Sequence, residues 1–234
     1  MNARADVIVK LEQITRVYQQ DSVAVNALGG IDLEIQRGDF AVLVGPSGSG
    51  KTTLLNLIGG LDSPSAGRIW VAGTEIGRMS RAELSDVRLR QIGFVFQEFN
   101  LIPVLSALEN VEFVMLLQGM SDALRRVRSF ALLKELGLAG LEHRRPAELS
   151  GGQQQRVAVA RAIAAEPIIV LPDEPTANLD SKAGAALMDL MRRLNEEKGV
   201  TFVFSTHDAM VVERARRVIR MRDGRIESDE RRAA

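Results

Sequence analysis

Eight consecutive residues near the start of the chain restrict its fold more than any other stretch. Gly45 to Thr52 reads GPSGSGKT and comes directly after an apolar run, FAVLV, from Phe40 to Val44. Glycines let the backbone wrap so that its N–H groups face phosphate oxygens, and the helix-type segment TLLNLIGGL that follows adds the positive end of a helix. A glycine-rich loop of this spacing, between a buried strand and a helix, predicts a phosphate-binding loop. A chance Gly/Ser loop is the alternative interpretation.

The end of this loop has specific predicted roles. Lys51 is expected to reach the β- and γ-phosphates of a nucleotide, and the Thr52 hydroxyl is expected to ligate Mg²⁺. The predicted nucleotide-binding residues here are Gly45, Pro46, Ser47, Gly48, Ser49, Gly50, Lys51, Thr52 and Thr53.

Charge and composition exclude several classes of protein. Lysine plus arginine and aspartate plus glutamate both number 30, so the net charge is zero and no whole-molecule field attracts nucleic acid. The first residues, MNARADVIVKLEQ, lack the apolar stretch of a secretory signal, and no apolar run approaches the roughly 18 to 20 residues that span a bilayer. The chain has no cysteine, which excludes disulfides and thiolate metal sites. These features predict a cytosolic protein without a nucleic-acid partner.

Hydrophobic patterning predicts two kinds of strand. IDLEI (31–35) and RIWVA (68–72) alternate apolar and polar residues, which is typical of half-exposed antiparallel strands. FAVLV, IIVL (168–171) and TFVFS (201–205) are continuous apolar runs, as expected of strands covered on both faces in an α/β sheet. The tail VIRMRDGRIES predicts a hairpin around residues 223–224.

From Gln97 to Ser150 the pattern changes to helix. The segment DALRRVRSFALLKELG has Asp122 as its predicted N-cap and Gly137 where a helix would end. Its predicted apolar face consists of Leu124, Val127 and Ala131, at three- to four-residue spacing, together with Leu133. These features predict a helical insertion within the α/β core.

Two adjacent carboxylates end one apolar strand, in IIVLPDEPT. Side chains of neighbouring strand residues point to opposite faces, so Asp173 and Glu174 are expected to take different roles. Asp173 is predicted to hold Mg²⁺, directly or through water, and Glu174 to polarise an attacking water. The alternative is a solvated acidic turn at a strand end. Pro172 is unexpected in an interior strand because it has no N–H to donate.

His207 follows the strand FVFST in a similar way, and it is one of two histidines in the chain. Its position leaves open a structural role and a contact with the nucleotide. His143, within the charged EHRRP, is expected at the surface.

A second glycine pair lies in LSGGQ, at residues 149–153. Ser150 and Gln153 fit a capping box at the start of a helix, and that structural interpretation stays open. Two glycines in a first helical turn are poor helix formers, however, and capping does not require them. Removal of both side chains lets an anion approach the N–H groups of the helix start. The residues of this predicted anion site are Ser150, Gly151, Gly152 and Gln153.

In order and spacing, these motifs resemble the nucleotide-binding subunit of ABC transporters across essentially the whole chain. The set comprises Tyr18, the loop at 45–52, Gln97, LSGGQ at 149–153, DEPT at 173–176, NLD at 178–180 and His207. A closer resemblance, to the branch that contains LolD, MacB and FtsE, lies in IGFVFQEFNLIPVLSALENV (92–111) and NLIGGLDSPSAG (56–67). Pro172 departs from the family pattern, which usually has a small residue such as alanine there.

The resemblance implies roles for individual residues. Tyr18 would stack on adenine, unless it is a packed edge-strand tyrosine. Gln97 would ligate Mg²⁺ and couple to the membrane partner, and Asp180 would contact the opposing subunit. Glu174 would be the general base, and His207 would hold the γ-phosphate.

The resemblance also implies an architecture: an α/β P-loop NTPase core of the RecA-like type, with an N-terminal antiparallel β subdomain and an inserted helical subdomain. One ABC domain would span residues 1–234. Residues 1–96 and 157–234 would form the core and β subdomain, and residues 97–156 the helical subdomain with LSGGQ. The implied cofactors are ATP and Mg²⁺, with Thr52, Gln97 and Asp173 as metal ligands.

The implied function is ATP hydrolysis by a head-to-tail dimer that holds each ATP between Lys51 of one copy and Ser150 and Gly152 of the other. The dimer would drive a separate integral membrane permease of the lipoprotein-release or macrolide-export type, at the cytoplasmic face of the membrane. Docking is expected in the 97–150 insertion. The residues considered for docking, with core packing as the alternative, are Phe99, Leu101, Ile102 and Leu105.

Two other functions stay open. An FtsE-like signalling ATPase would regulate cell-wall enzymes through a membrane partner without transporting a substrate. A soluble ABC protein of DNA repair or translation usually carries long coiled coils or a second cassette, and this chain has neither, nor a net basic charge. The arginine groups at 125–128 and 214–217 are interpreted as solvated helix faces, with contact to lipid head groups as the alternative.

Overall fold

A computed structural model describes residues 6–20 and 23–232, which form two β-sheets with helices packed around them. The strands are β1 (Val7–Gln20), β2 (Val23–Gln36), β3 (Phe40–Val44), β4 (Ala66–Val71), β5 (Thr74–Glu75), β6 (Ile92–Val95), β7 (Ile169–Pro172), β8 (Phe202–Thr206), β9 (Arg217–Arg222) and β10 (Arg225–Arg231). The helices are α1 (Lys51–Ile58), α2 (Arg81–Gln91), α3 (Ala107–Leu117), α4 (Asp122–Glu135), α5 (Gly151–Ala164), α6 (Ser181–Lys198) and α7 (Ala209–Arg214), with a 3-10 turn at Pro146–Glu148. Within these described ranges, no helix is long and apolar enough to cross a membrane.

The smaller sheet is antiparallel, with the strand order β2-β1-β4-β5. Ile31, Leu33 and Ile35 of β2 are buried and the residues between them are exposed. Ile69 and Val71 of β4 are buried in the same way. The predicted alternation is therefore confirmed, because one face of this sheet packs on the core and the other meets solvent.

The larger sheet has the order β10-β9-β3-β8-β7-β6, and its strands from β9 to β6 are parallel. The predicted two-sided burial is confirmed, since nearly every residue of β3, β7 and β8 is buried. The rings of Phe40, Phe202 and Phe204 pack together with centroids 4.8 to 5.7 Å apart. Because the carboxyl ends of parallel strands meet at one edge, the segments that follow β3, β7 and β8 converge there.

Pro172 is the last residue of β7 and is buried. The N–H groups of Val170 and Glu174 both donate to carbonyls on the β8 side. Alternate residues of a strand donate in the same direction, so an N–H at position 172 would also donate toward β8, and proline has none. Pairing between β7 and β8 is reduced to one strand pair followed by an isolated bridge at Asp173–Ser205. The proline thus interrupts this ladder just where the two acids leave the sheet.

The predicted N-cap of α4 is wrong by one residue. Ser121 has the extended backbone of an N-cap, and Asp122 is the first helical residue. An acid in the first turn still favours the helix start through the dipole, which explains why the sequence pattern pointed to it. The predicted end of the helix is confirmed, since Gly137 follows it with a φ of +70°.

The predicted apolar face of α4 is only partly correct. Leu124 and Val127 are 45% and 68% exposed, and Ala131 is exposed as well. Leu133 is fully buried, because α4 packs on α3 and α5 along the face that carries Leu133 and Ser129. The spacing of Leu124, Val127 and Ala131 therefore selected the wrong side of this helix.

The C-terminal hairpin forms as predicted between β9 and β10. Asp223 and Gly224 both have a positive φ, of 47° and 72°, which a two-residue turn of this hand requires.

Candidate active site

The predicted phosphate loop joins β3 to α1 at the carboxyl edge of the larger sheet. A Cβ added at Gly45 would meet the Met221 carbonyl oxygen at 2.1 Å, and Gly48 has a φ of +78°. Glycine is required at the first position for close approach and at the second for its backbone conformation. Lys51 folds back over the loop, where its Nζ donates to the carbonyls of Gly45 and Pro46 at 2.8 and 3.0 Å. An anion in the loop would compete with these carbonyls for the ammonium group.

A cleft of about 730 Å³ opens beside the phosphate loop. It is lined by Tyr18, Val25, Asn26, Ala27, residues 47–53, Gln97, Glu174, Ala177 and His207. The structure thus brings β1, β2, the phosphate loop and the segments after β6, β7 and β8 to one place.

Thr52 and Asp173 meet beside this cleft, and the Thr52 hydroxyl donates to Asp173 Oδ1 at 3.3 Å. Burial raises the pKa of the Asp173 carboxyl above its ordinary value, although the Thr52 hydroxyl acts in the opposite direction. Gln97 adds an amide to the same region, because it lines the cleft. Hydroxyl, carboxylate and amide oxygens are the donors that Mg²⁺ prefers, so the residues present fit the predicted cation.

Glu174 and His207 form a hydrogen-bonded pair at the ends of β7 and β8. The Glu174 carboxylate accepts from the Thr206 hydroxyl at 2.9 Å, and its other oxygen lies 2.8 Å from His207 Nδ1. The Glu174 side chain is 18% exposed and the His207 side chain 74%. The pair therefore places an anchored carboxylate in the cleft and leaves the histidine Nε2 available to a ligand.

The loop that carries Gln97 is held by polar side chains from two directions. Gln155 and Arg161 of α5 donate to backbone carbonyls before and after Gln97, at distances between 2.6 and 3.4 Å. Asn178 donates to the Gln97 carbonyl at 2.9 Å. No local sequence signal marks Gln155 or Arg161, because a polar residue in an amphipathic helix is ordinarily assigned to solvent, whereas Gln155 is fully buried.

Tyr18 borders the cleft near the end of β1. Pairing between β1 and β4 ends at Thr15, so Tyr18 has a neighbouring strand on one side only. Its hydroxyl donates to Asp62 Oδ2 at 2.7 Å, and the Arg16 guanidinium lies 4.4 Å from its ring centroid. The ring is packed, as the alternative interpretation expected, and it also lines the cleft.

The predicted residues at the starts of α5 and α6 cap their helices. The backbone N–H of Gln153 donates to Ser150 Oγ at 3.4 Å, and the N–H of Ser150 donates to Gln153 Oε1 at 2.8 Å, which is the predicted capping box. Asp180 caps α6 by accepting from the Ala183 N–H at 2.8 Å. Neither helix start lines the cleft of its own chain.

Comparison with known proteins identifies the family, since the sequence profile described as "ABC transporter" matches residues 28–177. The chain belongs to the ABC transporter family. The lipoprotein-releasing system ATP-binding protein LolD 1 of Rhodopseudomonas palustris is 47% identical over 224 residues, which cover 95% of this ABC chain and 99% of that protein. The macrolide export ATP-binding/permease protein MacB of Bdellovibrio bacteriovorus is 43% identical over 224 residues, which cover 96% of this chain and 34% of MacB.

A solved structure provides the matching fold for this ABC chain. The ATP-binding cassette MJ0796 of Methanocaldococcus jannaschii, in a dimeric post-hydrolysis state bound to ADP and phosphate, is 44% identical with a TM-score of 0.89 and covers 97% of this chain and 100% of that one. The predicted fold class, an α/β P-loop NTPase core with an antiparallel β subdomain and a helical region, is therefore confirmed. The resemblance to the LolD and MacB branch is confirmed as well, and the ABC chain is an ATPase.

Proposed function

We propose that this ABC ATPase works as a head-to-tail homodimer with two ATP molecules between its subunits. One observation carries the proposal: the phosphate loop, Asp173 and Glu174 lie together, whereas the glycine pair that starts α5 does not line their cleft. A second copy would supply that helix start, so each ATP would lie between Lys51 of one chain and Ser150 and Gly152 of the other. The dimeric, ADP-bound and phosphate-bound cassette of a relative supports this arrangement.

Packing within one chain restricts Gly152 but does not account for Gly151. A Cβ added at Gly151 would meet its nearest neighbours at 3.6 and 3.7 Å, which is ordinary contact, and at Gly152 it would meet the Ala183 Cβ at 3.3 Å. Helix α5 has no acid in its first turn, whereas α2 and α3 each have one. A bare and uncharged helix start suits an anion that comes from outside the chain.

The proposed roles follow from how each side chain is held. Glu174 acts as the general base, since two hydrogen bonds fix its carboxylate in the cleft. His207 directs Nε2 to the γ-phosphate. Its Nδ1 lies 2.8 Å from the Glu174 carboxylate, so Nε2 is the ring nitrogen left to contact the phosphate. Tyr18 stacks on adenine, and Asp180 contacts the opposing subunit.

The proposed Mg²⁺ site consists of Thr52, Asp173 and Gln97, and the cation would neutralise charge on the β- and γ-phosphates. Lys51 would exchange its two loop carbonyls for phosphate oxygens when ATP enters. This exchange preserves the hydrogen bonds of the buried ammonium and adds an opposite charge beside it.

The Glu174→Gln variant tests the dimer. The amide keeps the size of the side chain but takes up no proton, so ATP is bound without being cleaved. We expect this variant to elute as a dimer in gel filtration with ATP and as a monomer without nucleotide. Adding Lys51→Ala is the matched control, because it removes a phosphate contact and keeps the protein monomeric. A Glu174→Gln protein that stays monomeric at high protein and ATP concentrations contradicts the proposal.

The dimer is proposed to drive a separate permease of the lipoprotein-release or macrolide-export type at the cytoplasmic face of a membrane. A groove of about 390 Å³ next to the Gln97 loop supports this proposal. Its apolar lining includes Leu61, Phe94, Phe96, Ile102, Phe113 and Leu117. Leu61 and Leu117 are 47% and 57% exposed, so the groove presents apolar surface that a partner would cover.

The groove also carries a charge pattern that specifies a partner. Arg88 and Arg161 line it and donate to backbone carbonyls. Across the residues that the structure describes, neither arginine has a carboxylate within salt-bridge distance. A permease segment with an apolar face and an acidic group would complement this surface.

The residues considered for docking are placed unevenly. Phe99, Leu101, Ile102 and Leu105 are all half-buried, and only Ile102 among them lines the groove. Val104, in the same stretch, is 73% exposed. The proposed docking surface is therefore the junction of the insertion with α2, rather than the insertion as a whole.

Paired surface variants test the docking surface. Leu117→Asp places a charge in the groove, and Val127→Asp makes the same change at an exposed position that does not line it. We expect Leu117→Asp, and not Val127→Asp, to abolish co-purification with a co-expressed permease of this class. Equal co-purification of both variants contradicts the assignment. An FtsE-like ATPase would use the same groove, so substrate transport by the reconstituted complex distinguishes the two functions.

A further inference from the structure

Tyr18 is the only tyrosine of the chain, and its ring is tied to a loop that lies 44 residues further along. The contact is made by Asp62, in the segment that follows α1. Asp62 Oδ2 accepts from the Tyr18 hydroxyl at 2.7 Å. The same carboxylate uses Oδ1 to accept from Arg16 at 2.7 Å and from the Ser63 N–H at 2.8 Å. Both oxygens of Asp62 are therefore engaged, and one of them fixes the tyrosine hydroxyl.

Arg16 completes the cluster by covering the ring. Its guanidinium lies 4.4 Å from the Tyr18 ring centroid while it pairs with Asp62. The side chains of Arg16 and Asp62 are only 22% and 23% exposed, so solvent weakens this pair less than it weakens a fully exposed one. One face of the ring is thus occupied by a cation, and the ring as a whole borders the nucleotide cleft.

The anchoring segment is itself fixed to β1 and to α1. The Ser65 N–H donates to the Thr15 carbonyl at 2.9 Å, and the Val17 N–H donates to Ser65 Oγ at 3.0 Å. The Asp62 N–H donates to the carbonyl of Asn56, within α1, at 3.3 Å. Since α1 begins at the phosphate loop, Asp62 connects the tyrosine to the element that holds the phosphates.

We propose that Asp62 is a positioning residue for the nucleotide base, which holds the Tyr18 ring by its hydroxyl, with Arg16 against one face, so that the other face is presented to adenine before ATP arrives. This inference rests on the proposed stacking of adenine on Tyr18. A ring fixed in advance loses less rotational freedom on binding, so the anchor strengthens binding of the base without touching it.

Equilibrium binding of two ligands tests the anchor. ATP reaches both the phosphate loop and Tyr18, whereas inorganic tripolyphosphate has no base and reaches the loop alone. We expect Tyr18→Phe, which keeps the ring and removes its hydroxyl, to weaken ATP binding about threefold to tenfold, the range for one lost side-chain hydrogen bond. Asp62→Ala is expected to give the same loss, and the double variant no further loss. Tripolyphosphate binding should be unchanged in all three.

A control in the same segment separates positioning from general loosening. Ser65→Ala removes the side-chain hydrogen bonding between Ser65 and Val17, keeps the backbone bond from Ser65 to Thr15 that fixes this segment to β1, and leaves the Tyr18–Asp62 contact in place. We expect its ATP and tripolyphosphate affinities to equal those of the wild type. An equal loss of ATP binding in Ser65→Ala, a parallel loss of tripolyphosphate binding in Asp62→Ala, or additive effects of Tyr18→Phe and Asp62→Ala overturns the anchor.

Tyr18→Ala distinguishes failure of the anchor from failure of the stacking role. If Tyr18→Ala weakens ATP binding while Tyr18→Phe and Asp62→Ala do not, the ring stacks on adenine but Asp62 does not position it. If Tyr18→Ala leaves ATP affinity unchanged, both the stacking role and the anchor are wrong.

Discussion

Glu174 has a backbone φ of +46°, a conformation that side-chain-bearing residues seldom adopt. Such a residue costs of order 1–3 kcal/mol and persists only where its surroundings hold it. The holding contacts come from β8: the Glu174 N–H donates to the Ser205 carbonyl, and the Thr206 hydroxyl donates to the carboxylate. Placement of the proposed base therefore depends on the neighbouring strand as much as on β7.

Replacing Thr206 by valine tests this dependence at a single atom. The variant keeps the shape of the side chain and removes the hydrogen bond to the charged Glu174 carboxylate, worth about 1.5–3 kcal/mol. It also removes the hydrogen bond that the Thr206 hydroxyl accepts from the Asp208 N–H. We expect kcat for ATP hydrolysis to fall about tenfold or more, with little change in KM, as steady-state kinetics will measure.

The matched control for Thr206→Val is Thr201→Val. The Thr201 hydroxyl lies just before the same strand and accepts from the Gly38 N–H at 3.0 Å, outside the cleft. It is expected to lower stability without changing kcat. Equal kinetic effects of the two variants argue against a specific role for the Thr206 hydroxyl.

At the scale of elements, three helices start with the same device and differ in one charge. Helices α2, α3 and α5 each begin with a capping box whose serine is paired with Glu83, Glu109 and Gln153 respectively. A glutamate at this position interacts favourably with the helix dipole, so the neutral glutamine of α5 gives up some stability. A site for a partner's phosphate would explain that choice.

The Gln153→Glu variant separates stability from function at this helix start. A carboxylate favours the helix start by about 0.3–1 kcal/mol but repels an incoming phosphate. We expect an unchanged or slightly higher melting temperature, together with loss of ATP-driven dimerisation in the Glu174→Gln background. The reverse exchange, Glu109→Gln in α3, is expected to lower stability slightly and leave dimerisation intact. Normal dimerisation of Gln153→Glu counts against an anion at this helix start.

The cap of α3 has a predictable pH dependence. The pKa of Glu109 lies below its ordinary value because its carboxylate accepts from the Ser106 N–H and hydroxyl. The folded chain therefore binds fewer protons at this site than the unfolded chain between the lowered and the ordinary pKa, so stability rises with pH there. We expect the difference in free energy of unfolding between wild type and Glu109→Gln to reach its full value near neutral pH. In denaturation series it should vanish as the pH falls through the lowered pKa; a difference that persists in acid contradicts the ionic contribution.

At the scale of the whole molecule, the proposed dimer places the two halves of each site on different chains. Lys51→Ala damages one half, and Gly151→Asp damages the other at a position where a Cβ has room within its own chain. In the Glu174→Gln background, a dimer of two identical variant chains has no intact site, because both of its sites carry the same defect. In a mixed dimer, one site contains both defects. The other site combines the two undamaged halves and is therefore intact.

Mixing the two variants in equal amounts tests this arrangement. Neither variant is expected to dimerise alone, so the dimers that form on mixing are mixed dimers, and ATP retained per dimer on gel filtration is expected to be about half of the undamaged level. No recovery at any mixing ratio contradicts a site shared between chains.

Much of the site could be predicted because its chemistry is local in sequence. The phosphate loop, the Asp173–Glu174 pair and the Ser150–Gln153 cap are each contained within eight residues, and backbone conformation alone restricts them. The face of α4 could not be predicted, because Leu124 and Val127 fit an apolar stripe equally well and only the packing on α3 and α5 selects another side.

The amino-acid sequence by itself determined the motifs, the two kinds of strand and the hairpin turn, because each depends on near neighbours and on backbone conformation. Only the tertiary structure decided which distant groups meet. Such contacts include the hydrogen bonds from Arg161 to the Gln97 loop and the bond from Tyr18 to Asp62. The β7–β8 ladder that Pro172 interrupts also pairs segments far apart in the chain. No local sequence pattern predicts such partners, since the distances between them are set by how the sheets and helices pack.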